Sequence, residues 1–363
     1  MKIKVNKNEF ASGLQKVENI VGENIIPVLS NVLLKAEDGN LTLISTDMDR
    51  RIRTSIKAEV EESGAITLPA KKLMSLVSKY DNDEISFSTD GNSVKICCGR
   101  SKQNWISIPV DEFPKEEEFE VIFNYSLKAK QLFNGLKKTT FASGKDGLNL
   151  ALQSVCFVVK EEKFNAVATD GKRLSLITEP MDGVTGESKI VIPIKTAVEI
   201  KRLIGETDDI IELNAGNDIF NVIIGDTVLQ SKVVKEEYAN YEKSMPKDNE
   251  ISIEMDAKEL LKALERVIIA LEKNTESVYL NITEDKMLFA ASSTTVGRND
   301  ETIDVEYKGE EMNISFNPCY LIEMLKAVDA EKIHFKNNTG GSAIVIDDCD
   351  NLCYVFMPTR DRV

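Results

Sequence analysis

One stretch decides how this chain folds: Val167-Ala168-Thr169-Asp170-Gly171-Lys172-Arg173-Leu174-Ser175-Leu176. It predicts a β-hairpin, with a strand over 164–168, a tight turn at Thr169, Asp170 and Gly171, and a second strand over 173–177. Aspartate in such a turn accepts hydrogen bonds from the backbone ahead of it, and glycine adopts a positive φ without strain. A hairpin alone carries little functional information, so its meaning depends on what surrounds it.

A strand followed by a helix recurs six times along the 363 residues. In each copy, alternating apolar residues give way to apolar residues spaced about three or four apart, which is the change from strand to helix periodicity. The copies begin at Ile3, Ile66, Val121, Ile190, Ile251 and Met312. Caps or first-turn prolines are predicted at the helix starts, at Pro69, Pro193, Asp256 and Asn317-Pro318. Two or three strands follow each helix, so the repeating unit is one helix with three or four strands.

Similarity at longer range pairs the six units into domains. Residues 40–47 resemble residues 164–170, and acidic segments that contain a proline, near Asp111 and Tyr241, close successive pairs. The sequence therefore predicts an α+β fold of three similar domains over 1–118, 119–247 and 248–363. Each domain would hold two strand-helix-sheet units, with the sheets outside and the helices packed together inside.

Positive charge is concentrated on the predicted helices, although the chain has a net charge of −15. Segments 71–79, 128–138 and 195–202 hold ten basic residues and one acidic residue, a net +9 that leaves −24 for the rest of the chain. Such helices are typical of a surface that faces phosphates without reading the base sequence. The alternative interpretation is an ordinary charged surface that keeps the helices soluble.

Catalysis and cofactor binding are not indicated. His334 is the single histidine and lies in a strand-like alternation, and neither a phosphate-cradling nor a dinucleotide-binding glycine motif occurs. The acidic pairs Asp208-Asp209 and Asp347-Asp348 are expected to be solvated loop carboxylates. We therefore predict a protein that is not an enzyme and has no catalytic residues, no metal site and no cofactor.

Cysteine usage and hydropathy indicate the compartment. Cysteines occur at Cys97, Cys98, Cys156, Cys319, Cys349 and Cys353 without the paired spacing of a zinc site, so buried free thiols are expected. The first residues alternate apolar and polar side chains, and no apolar run of about 18 residues occurs. The expectation is a cytoplasmic protein without membrane contact.

Three motifs, Thr-Asp-Gly-Lys-Arg-Leu at 169–174, Phe-Asn-Pro-Cys-Tyr at 316–320 and Met-Pro at 357–358, resemble those of the bacterial DNA polymerase III β subunits, the replicative sliding clamps. The resemblance covers essentially the whole chain. It implies the DNA-clamp fold and a processivity factor that encircles double-stranded DNA as a head-to-tail homodimer. It also implies a cleft that takes short linear peptides of the replicative polymerase, the clamp loader and repair proteins.

Site residues follow from the resemblance and from the charge pattern. The implied cleft comprises Leu152, Thr169, Gly171, Lys172, Arg173, Leu174, Asn317, Tyr320, Val355, Met357, Pro358 and Arg360. The residues expected to face DNA are Lys71, Lys72, Lys79, Lys137, Lys138, Lys195, Lys201 and Arg202. The implied dimer interface holds Trp105, Ile106, Ile268 and Ile269.

The chain departs from the family pattern at Lys172, Ala239 and Thr359, where histidine, proline and an apolar residue are common. The loop from Gly22 to Pro27 lacks the arginine that family members often carry there. A different class of function also fits the repeats: a scaffold that binds peptides and no DNA. Retention of the protein on circular DNA separates the two hypotheses.

Overall fold

The computed structural model describes residues 1–22, 26–181, 186–246, 251–272, 277–337, 343–348 and 351–359. Within these residues the chain forms six α-helices and twenty-five strands. The helices are α1 (Lys7–Val17), α2 (Ala70–Val77), α3 (Ala129–Lys137), α4 (Ile194–Ile204), α5 (Ala257–Val267) and α6 (Pro318–Ala327).

The first seventeen strands precede residue 233. They are β1 (Lys2–Asn6), β2 (Asn31–Glu37), β3 (Asn40–Thr46), β4 (Arg50–Lys57), β5 (Glu59–Glu62), β6 (Gly64–Pro69), β7 (Glu84–Asp90), β8 (Ser93–Cys98), β9 (Ser101–Ile106), β10 (Phe123–Lys128), β11 (Ser154–Lys160), β12 (Lys163–Thr169), β13 (Arg173–Pro180), β14 (Ser188–Pro193), β15 (Ile210–Ala215), β16 (Ile219–Ile224) and β17 (Thr227–Lys232). The remaining strands are β18 (Ile251–Asp256), β19 (Val278–Ile282), β20 (Lys286–Ser293), β21 (Gly297–Asp304), β22 (Met312–Phe316), β23 (Lys332–Asn337), β24 (Ile344–Asp347) and β25 (Leu352–Phe356).

Two compact units make up the chain. The first contains Met1–Ala129 and Arg202–Val233, with a five-stranded sheet in the order β5-β1-β7-β8-β9 and an eight-stranded sheet in the order β10-β15-β16-β17-β4-β3-β2-β6. In this unit α1 packs against β4 and against α2. The apolar face of α1, Phe10, Leu14 and Val17, is fully buried, which is the packing that its 3.6-residue periodicity predicts.

The second unit contains Lys130–Lys201 and Val234–Val363. Its eight-stranded sheet runs β14-β11-β12-β13-β25-β24-β23-β18, and its four-stranded sheet runs β21-β20-β19-β22. Helices α5 and α6 pack together over a core that includes Leu260, Leu264 and Val267, as the sequence predicts.

Each eight-stranded sheet continues across one of the predicted domain boundaries. In the first unit β4 pairs with β17, with Arg51 opposite Gln230, and in the second β13 pairs with β25, with Leu174 opposite Val355. Strands on both sides of each predicted linker therefore share one hydrogen-bonded ladder. This explains why the two compact units divide the predicted middle domain within α3 and α4 instead of following the linkers.

The six predicted strand-to-helix openings are confirmed as β1-α1, β6-α2, β10-α3, β14-α4, β18-α5 and β22-α6. Asp256 and Asn317 cap α5 and α6 by accepting hydrogen bonds from the backbone N–H groups of Glu259 and Cys319 at 2.8 and 2.9 Å. Pro69 is the N-cap residue of α2, without a side-chain cap hydrogen bond, and it also ends β6. Pro193 ends β14 immediately before α4 begins.

Several expectations about single residues are corrected by the structure. Cys98 and Cys156 are buried free thiols, but Cys97, Cys319 and Cys353 are only partly buried, and Cys349 lies outside the described residues. Asp208 is exposed, whereas Asp348 is buried in an ion pair with Lys138 and is not a solvated loop carboxylate. Among the described helices, none is both long and apolar enough to cross a membrane.

Candidate functional site

The predicted hairpin is present, and its turn is held by its own side chains. The Thr169 hydroxyl donates to the Arg173 carbonyl at 2.6 Å, and one carboxylate oxygen of Asp170 accepts from the N–H groups of Lys172 and Arg173 at 2.9 and 3.0 Å. Gly171 has a φ of +85°, which an L-residue adopts only with strain. The turn residues therefore stabilise the conformation of the turn, and the two strands that it connects, β12 and β13, are available to form a surface.

The C-terminal strand β25 lies beside this hairpin. Leu174 is opposite Val355, and the Met357 N–H continues the ladder by donating to the Lys172 carbonyl at 2.9 Å. Leu174 and Val355 belong to a small apolar cluster with Ala151, Tyr238 and Tyr241. The two strands thus bring residues about 180 positions apart into one apolar floor.

The floor is open to solvent at one end. Met357 has 51% of its surface exposed, and Leu152 and Pro358 are half-buried. Thr359 fastens the chain beyond Met357, since its N–H donates to the Ser315 carbonyl at 2.7 Å. Arg360 lies outside the described residues. An exposed, flexible methionine beside buried apolar residues suits partners that share only an apolar anchor.

Arg173 is the centre of a buried polar network. Its guanidinium donates to Asp170 at 3.0 Å, to Glu323 at 2.5 Å and to the Phe141 carbonyl at 2.6 Å, and it stacks over the Tyr320 ring at 4.7 Å. Burial opposes the charge, but Tyr354 and Glu323 outweigh burial and hold the pKa of Arg173 above its usual value. Arg173 therefore ties α6 to the hairpin.

Phe141 and Glu323 were not anticipated from the sequence. Glu323 lies one helical turn after Tyr320 on α6, so the i,i+3 spacing offered a signal that both side chains share one face. Phe141 carried no local signal. Asn317, the remaining predicted member, caps α6 and sets where that helix begins.

The predicted DNA-facing residues fall into different environments. Lys71, Lys72 and Lys79 are exposed on and just after α2, and Lys195 is exposed on α4. Lys137 pairs with Asp329 at 2.5 Å. Arg202 donates to the backbone carbonyls of Gln15 and Lys16 at the end of α1, at 3.2 and 2.6 Å. Burial and the nearby charge of Lys137 lower the pKa of Lys201.

Lys138 does not present its charge to solvent. Its ammonium donates to Asp348 at 2.9 Å and to the Asn351 side chain at 3.2 Å, and the Asp348 side chain is only 1% exposed. The Lys138 charge is thus compensated inside the second unit, an environment that disfavours the predicted contact with DNA.

Replacing Lys138 by alanine is expected to destabilise the fold by about 3 kcal/mol, because a buried carboxylate that loses its partner keeps its desolvation cost. The pKa of Glu179 should also rise further, since Lys138 at present opposes the effect of burial on that carboxyl. Urea unfolding at pH 7 measures the change. Lys130→Ala, at an exposed position of α3, the helix that ends immediately before Lys138, is the matched control, and equal midpoints for the two variants would contradict the prediction.

The predicted interface residues lie at sheet edges and helix ends. Ile106, on the edge strand β9, is 80% exposed, and Trp105 beside it is half-buried. In the second unit, Ile269 is 69% exposed in the 3-10 turn that follows α5. Ile268 differs, because it packs against the core of that unit.

Comparison with known proteins places this geometry in context. Models of the N-terminal, central and C-terminal domains of the DNA polymerase III beta subunit match residues 1–117, 126–240 and 242–360. The chain is 26% identical to the beta sliding clamp of Escherichia coli K12, covering 99% of this chain and all of that protein. It is 30% identical to the beta sliding clamp of Synechococcus elongatus over the full length of both.

Solved structures agree with the sequence comparison. The crystal structure of the DNA polymerase III subunit beta from Pseudomonas aeruginosa superposes with a TM-score of 0.96 at 26% identity, covering 99% of this chain and all of that one. The Caulobacter crescentus beta sliding clamp with polyethylene glycol bound superposes with a TM-score of 0.94 at 28% identity, with the same coverage.

Proposed function

This chain belongs to the DNA polymerase III β subunit family, and from that premise we propose how its residues act in a DNA sliding clamp, the ring that tethers a replicative polymerase to duplex DNA. The expected α+β clamp fold of three similar domains is confirmed, and so is the absence of a catalytic role. The scaffold that binds no DNA is not favoured. The match of three family domain models along nearly the whole chain carries this conclusion.

Topological retention on DNA tests the function directly. After loading onto a nicked circular plasmid, the protein is expected to stay bound at a salt concentration that removes simple electrostatic binders. Cutting the circle should release it within the time of diffusion along the DNA. Release from the intact circle at the same rate would contradict the function.

We propose domain boundaries near residues 118 and 247. The acidic linker near Asp111 and the segment around Tyr241 support this division. Each segment connects strands that lie on the two sides of a proposed boundary, β4 and β17 for the first and β13 and β25 for the second.

Ring closure is proposed to be head to tail, through the β9 edge of one copy and the β21 edge of the next. The two edges differ in charge. Arg100 and Lys102 lie on or next to β9, whereas β21 carries Asp300, Glu301 and Asp304 against one cation, Arg298. In the part of the chain that the structure describes, β9 and β21 are the outermost strands of their sheets, so a second strand can pair with their outer backbone groups. Different surfaces of opposite charge suit a heterologous contact, and two such contacts close a ring.

Lys71, Lys72 and Lys79 are proposed to face the DNA. All three are exposed, and within the described residues none forms an ion pair. Lys195 is also exposed, on α4. Lys137, Lys201 and Arg202 are proposed to contribute positive potential more than direct contact, because protein groups already bind or bury them.

Replacing Lys71, Lys72 and Lys79 together by alanine should flatten the salt dependence of DNA binding. Each lost phosphate contact lowers the slope of log K against log salt by up to about 0.9. Fluorescence anisotropy with a duplex oligonucleotide between low and moderate salt measures it. The control is the triple variant of exposed strand lysines Lys57, Lys95 and Lys163, which changes the net charge equally. Identical slopes for the two triple variants would show that α2 does not face DNA.

The cleft between β13, β25 and α6 is proposed to take short linear peptides of the polymerase, the clamp loader and repair proteins. Its apolar residues Leu152, Leu174, Val355 and Met357 form the floor, and the walls are proposed to hold Thr169, Gly171, Lys172, Arg173, Asn317, Tyr320 and Pro358. Arg360, also predicted for this cleft, lies outside the described residues. Cytoplasmic location follows from this replicative role and is likewise a proposal.

A further inference from the structure

The first unit contains a second copy of the hairpin that builds the cleft. In the turn between β3 and β4, the Thr46 hydroxyl donates to the Arg50 carbonyl at 2.7 Å. One Asp47 carboxylate oxygen accepts from the N–H groups of Asp49 and Arg50 at 3.2 and 2.7 Å. Met48 has a φ of +77°, where the other copy has Gly171. Thr46 to Arg51 thus corresponds position by position to Thr169 to Leu174.

The neighbouring strand and linker are duplicated as well. Arg51 is opposite Gln230, as Leu174 is opposite Val355, and the Lys232 N–H donates to the Asp49 carbonyl at 3.0 Å, as the Met357 N–H does to the Lys172 carbonyl. Leu174, Val355 and Met357 of the cleft therefore become Arg51, Gln230 and Lys232 in the first unit. The architecture is kept while the apolar floor is replaced by cationic and amide groups.

These residues surround a cavity of about 200 Å³. Its lining includes Met48, Asp49, Arg51, Glu117, Gln230 and Lys232. The volume is smaller than that of pockets that enclose a whole drug-sized ligand. It suits one anchoring side chain of a longer segment.

Arg51 is the group that the cavity leaves without a counter-ion. It is only 7% exposed, donates to the Pro114 carbonyl and lies 5.8 Å from the centre of the Phe113 ring. In the described part of the chain no carboxylate lies within ion-pair distance of it. Arg50 differs, since Asp47 binds it at 2.6 Å. Burial lowers the pKa of Arg51, and Glu116 and Glu117 offset this only in part.

A buried guanidinium without an anion is costly, and its planar fork matches a carboxylate with two parallel hydrogen bonds. We propose that this cavity is a second peptide-binding site, in which the carboxylate of a glutamate or aspartate anchor pairs with Arg51 while Lys232 and Gln230 flank it. The inference goes beyond the proposed function and uses the cleft only as its architectural counterpart.

A peptide fits better than a nucleic acid. The Asp49 carboxylate pairs with Lys232 at 3.2 Å and Glu117 also lines the cavity, so the cations there are partly compensated and suit one carboxylate better than a row of phosphates. Arg51 is only 7% exposed, and a side-chain carboxylate reaches it more readily than a phosphate of a nucleic-acid backbone does. Met48 is 49% exposed there and offers apolar contact to a residue beside the anchor. The ligand class is therefore an extended segment with one acidic side chain flanked by apolar ones.

The probe is acetyl-Ser-Leu-Glu-Leu-Ser-amide, and its control carries Gln in place of Glu. Protein labelled with ¹³C at the methionine methyl groups reports on both sites, because Met48 lines the cavity and Met357 the cleft. We expect the Glu peptide to shift the Met48 signal in a saturable way, and the Gln peptide to do so at least about tenfold more weakly, as loss of a charge-assisted pair implies. Equal shifts from both peptides would overturn the proposal.

Variants locate the anchor. Arg51→Leu should weaken the affinity for the Glu peptide at least tenfold. Lys232→Met, a change at the rim that spares the fold, should weaken this affinity several-fold, and Lys57→Met should leave it unchanged. Thermal melting checks that Arg51→Leu remains folded, and Lys232→Met keeps the test decisive if it does not. Unchanged affinity for the Glu peptide in Lys232→Met and in folded Arg51→Leu would contradict the proposed site. Displacement of the Glu peptide by an oligonucleotide would also contradict it. A polymerase-tail peptide titrated in parallel shifts Met357, so failure of the cleft is distinguished from failure of this second site.

Discussion

Replacing Ile106 and Ile269 together by aspartate is expected to convert the protein into folded monomers that cannot stay on circular DNA. Both side chains are largely exposed in the single chain, at 80% and 69%, so their replacement does not disturb either core. In a closed ring each isoleucine would contribute about 1.5–3 kcal/mol of burial, and each aspartate adds the cost of an unpaired buried charge. The dimerisation constant should weaken by at least about 10⁴.

Sedimentation measures the mass of the variants. Ile268 is left unchanged because it packs against the core of the second unit, and a charge there would unfold the domain instead of opening the ring. Ile210→Asp, at an exposed apolar position elsewhere, is the control and should remain dimeric. A dimer mass for the double variant at micromolar concentration would refute this interface.

The two single variants also test the head-to-tail arrangement. Ile106→Asp alone and Ile269→Asp alone should each be monomeric, because each one damages both contacts of a ring. When mixed, they should form a heterodimer held by one undamaged contact, since the two changes can meet in the other contact. An interface that joins identical surfaces would show no such recovery.

Truncating Leu152 and Met357 to alanine is expected to abolish most of the affinity for the C-terminal peptide of the replicative polymerase. A peptide leucine and aromatic anchor each gain about 1.5–3 kcal/mol from apolar burial, and both depend on these partly exposed side chains. The loss should be about 3 kcal/mol, or more than a hundredfold in Kd. Calorimetric titration of the peptide measures it, with dimer mass and melting temperature nearly unchanged.

Leu148→Ala is the matched control for the cleft, because this leucine is fully exposed and is not one of the predicted cleft residues. Affinity equal to that of the unaltered protein in the double variant would remove the cleft assignment. Arg173→Ala is a less direct test, since it would leave Glu323 and the Phe141 carbonyl without their buried partner. Its effect on peptides would be mixed with a loss of stability.

Local chemistry in the sequence determined the elements of this protein. The turn from Thr169 to Arg173 closes through hydrogen bonds among residues two to four positions apart, and the apolar spacing of Phe10, Leu14 and Val17 specifies a buried helix face. Such contacts lie within a few residues of one another, so they can be inferred without knowing the remainder of the chain. The recurrence of the pattern extended this inference to three similar domains.

Tertiary structure alone decided which charges are available and which sheet edges meet. The sequence pattern predicts that Lys138 is a cation on a helix surface, but in the structure it forms an ion pair with Asp348, which is 210 positions away. Distant strands are also joined when β4 pairs with β17 and β13 pairs with β25. The edges of these strands present the same backbone N–H and C=O groups as the edge of any other strand. Sequence patterns do not distinguish such edges, because backbone hydrogen bonding is common to all residues. The sequence likewise does not show that Arg51 is buried without an anion, because Gln230 and Lys232 come beside it only when β17 pairs with β4.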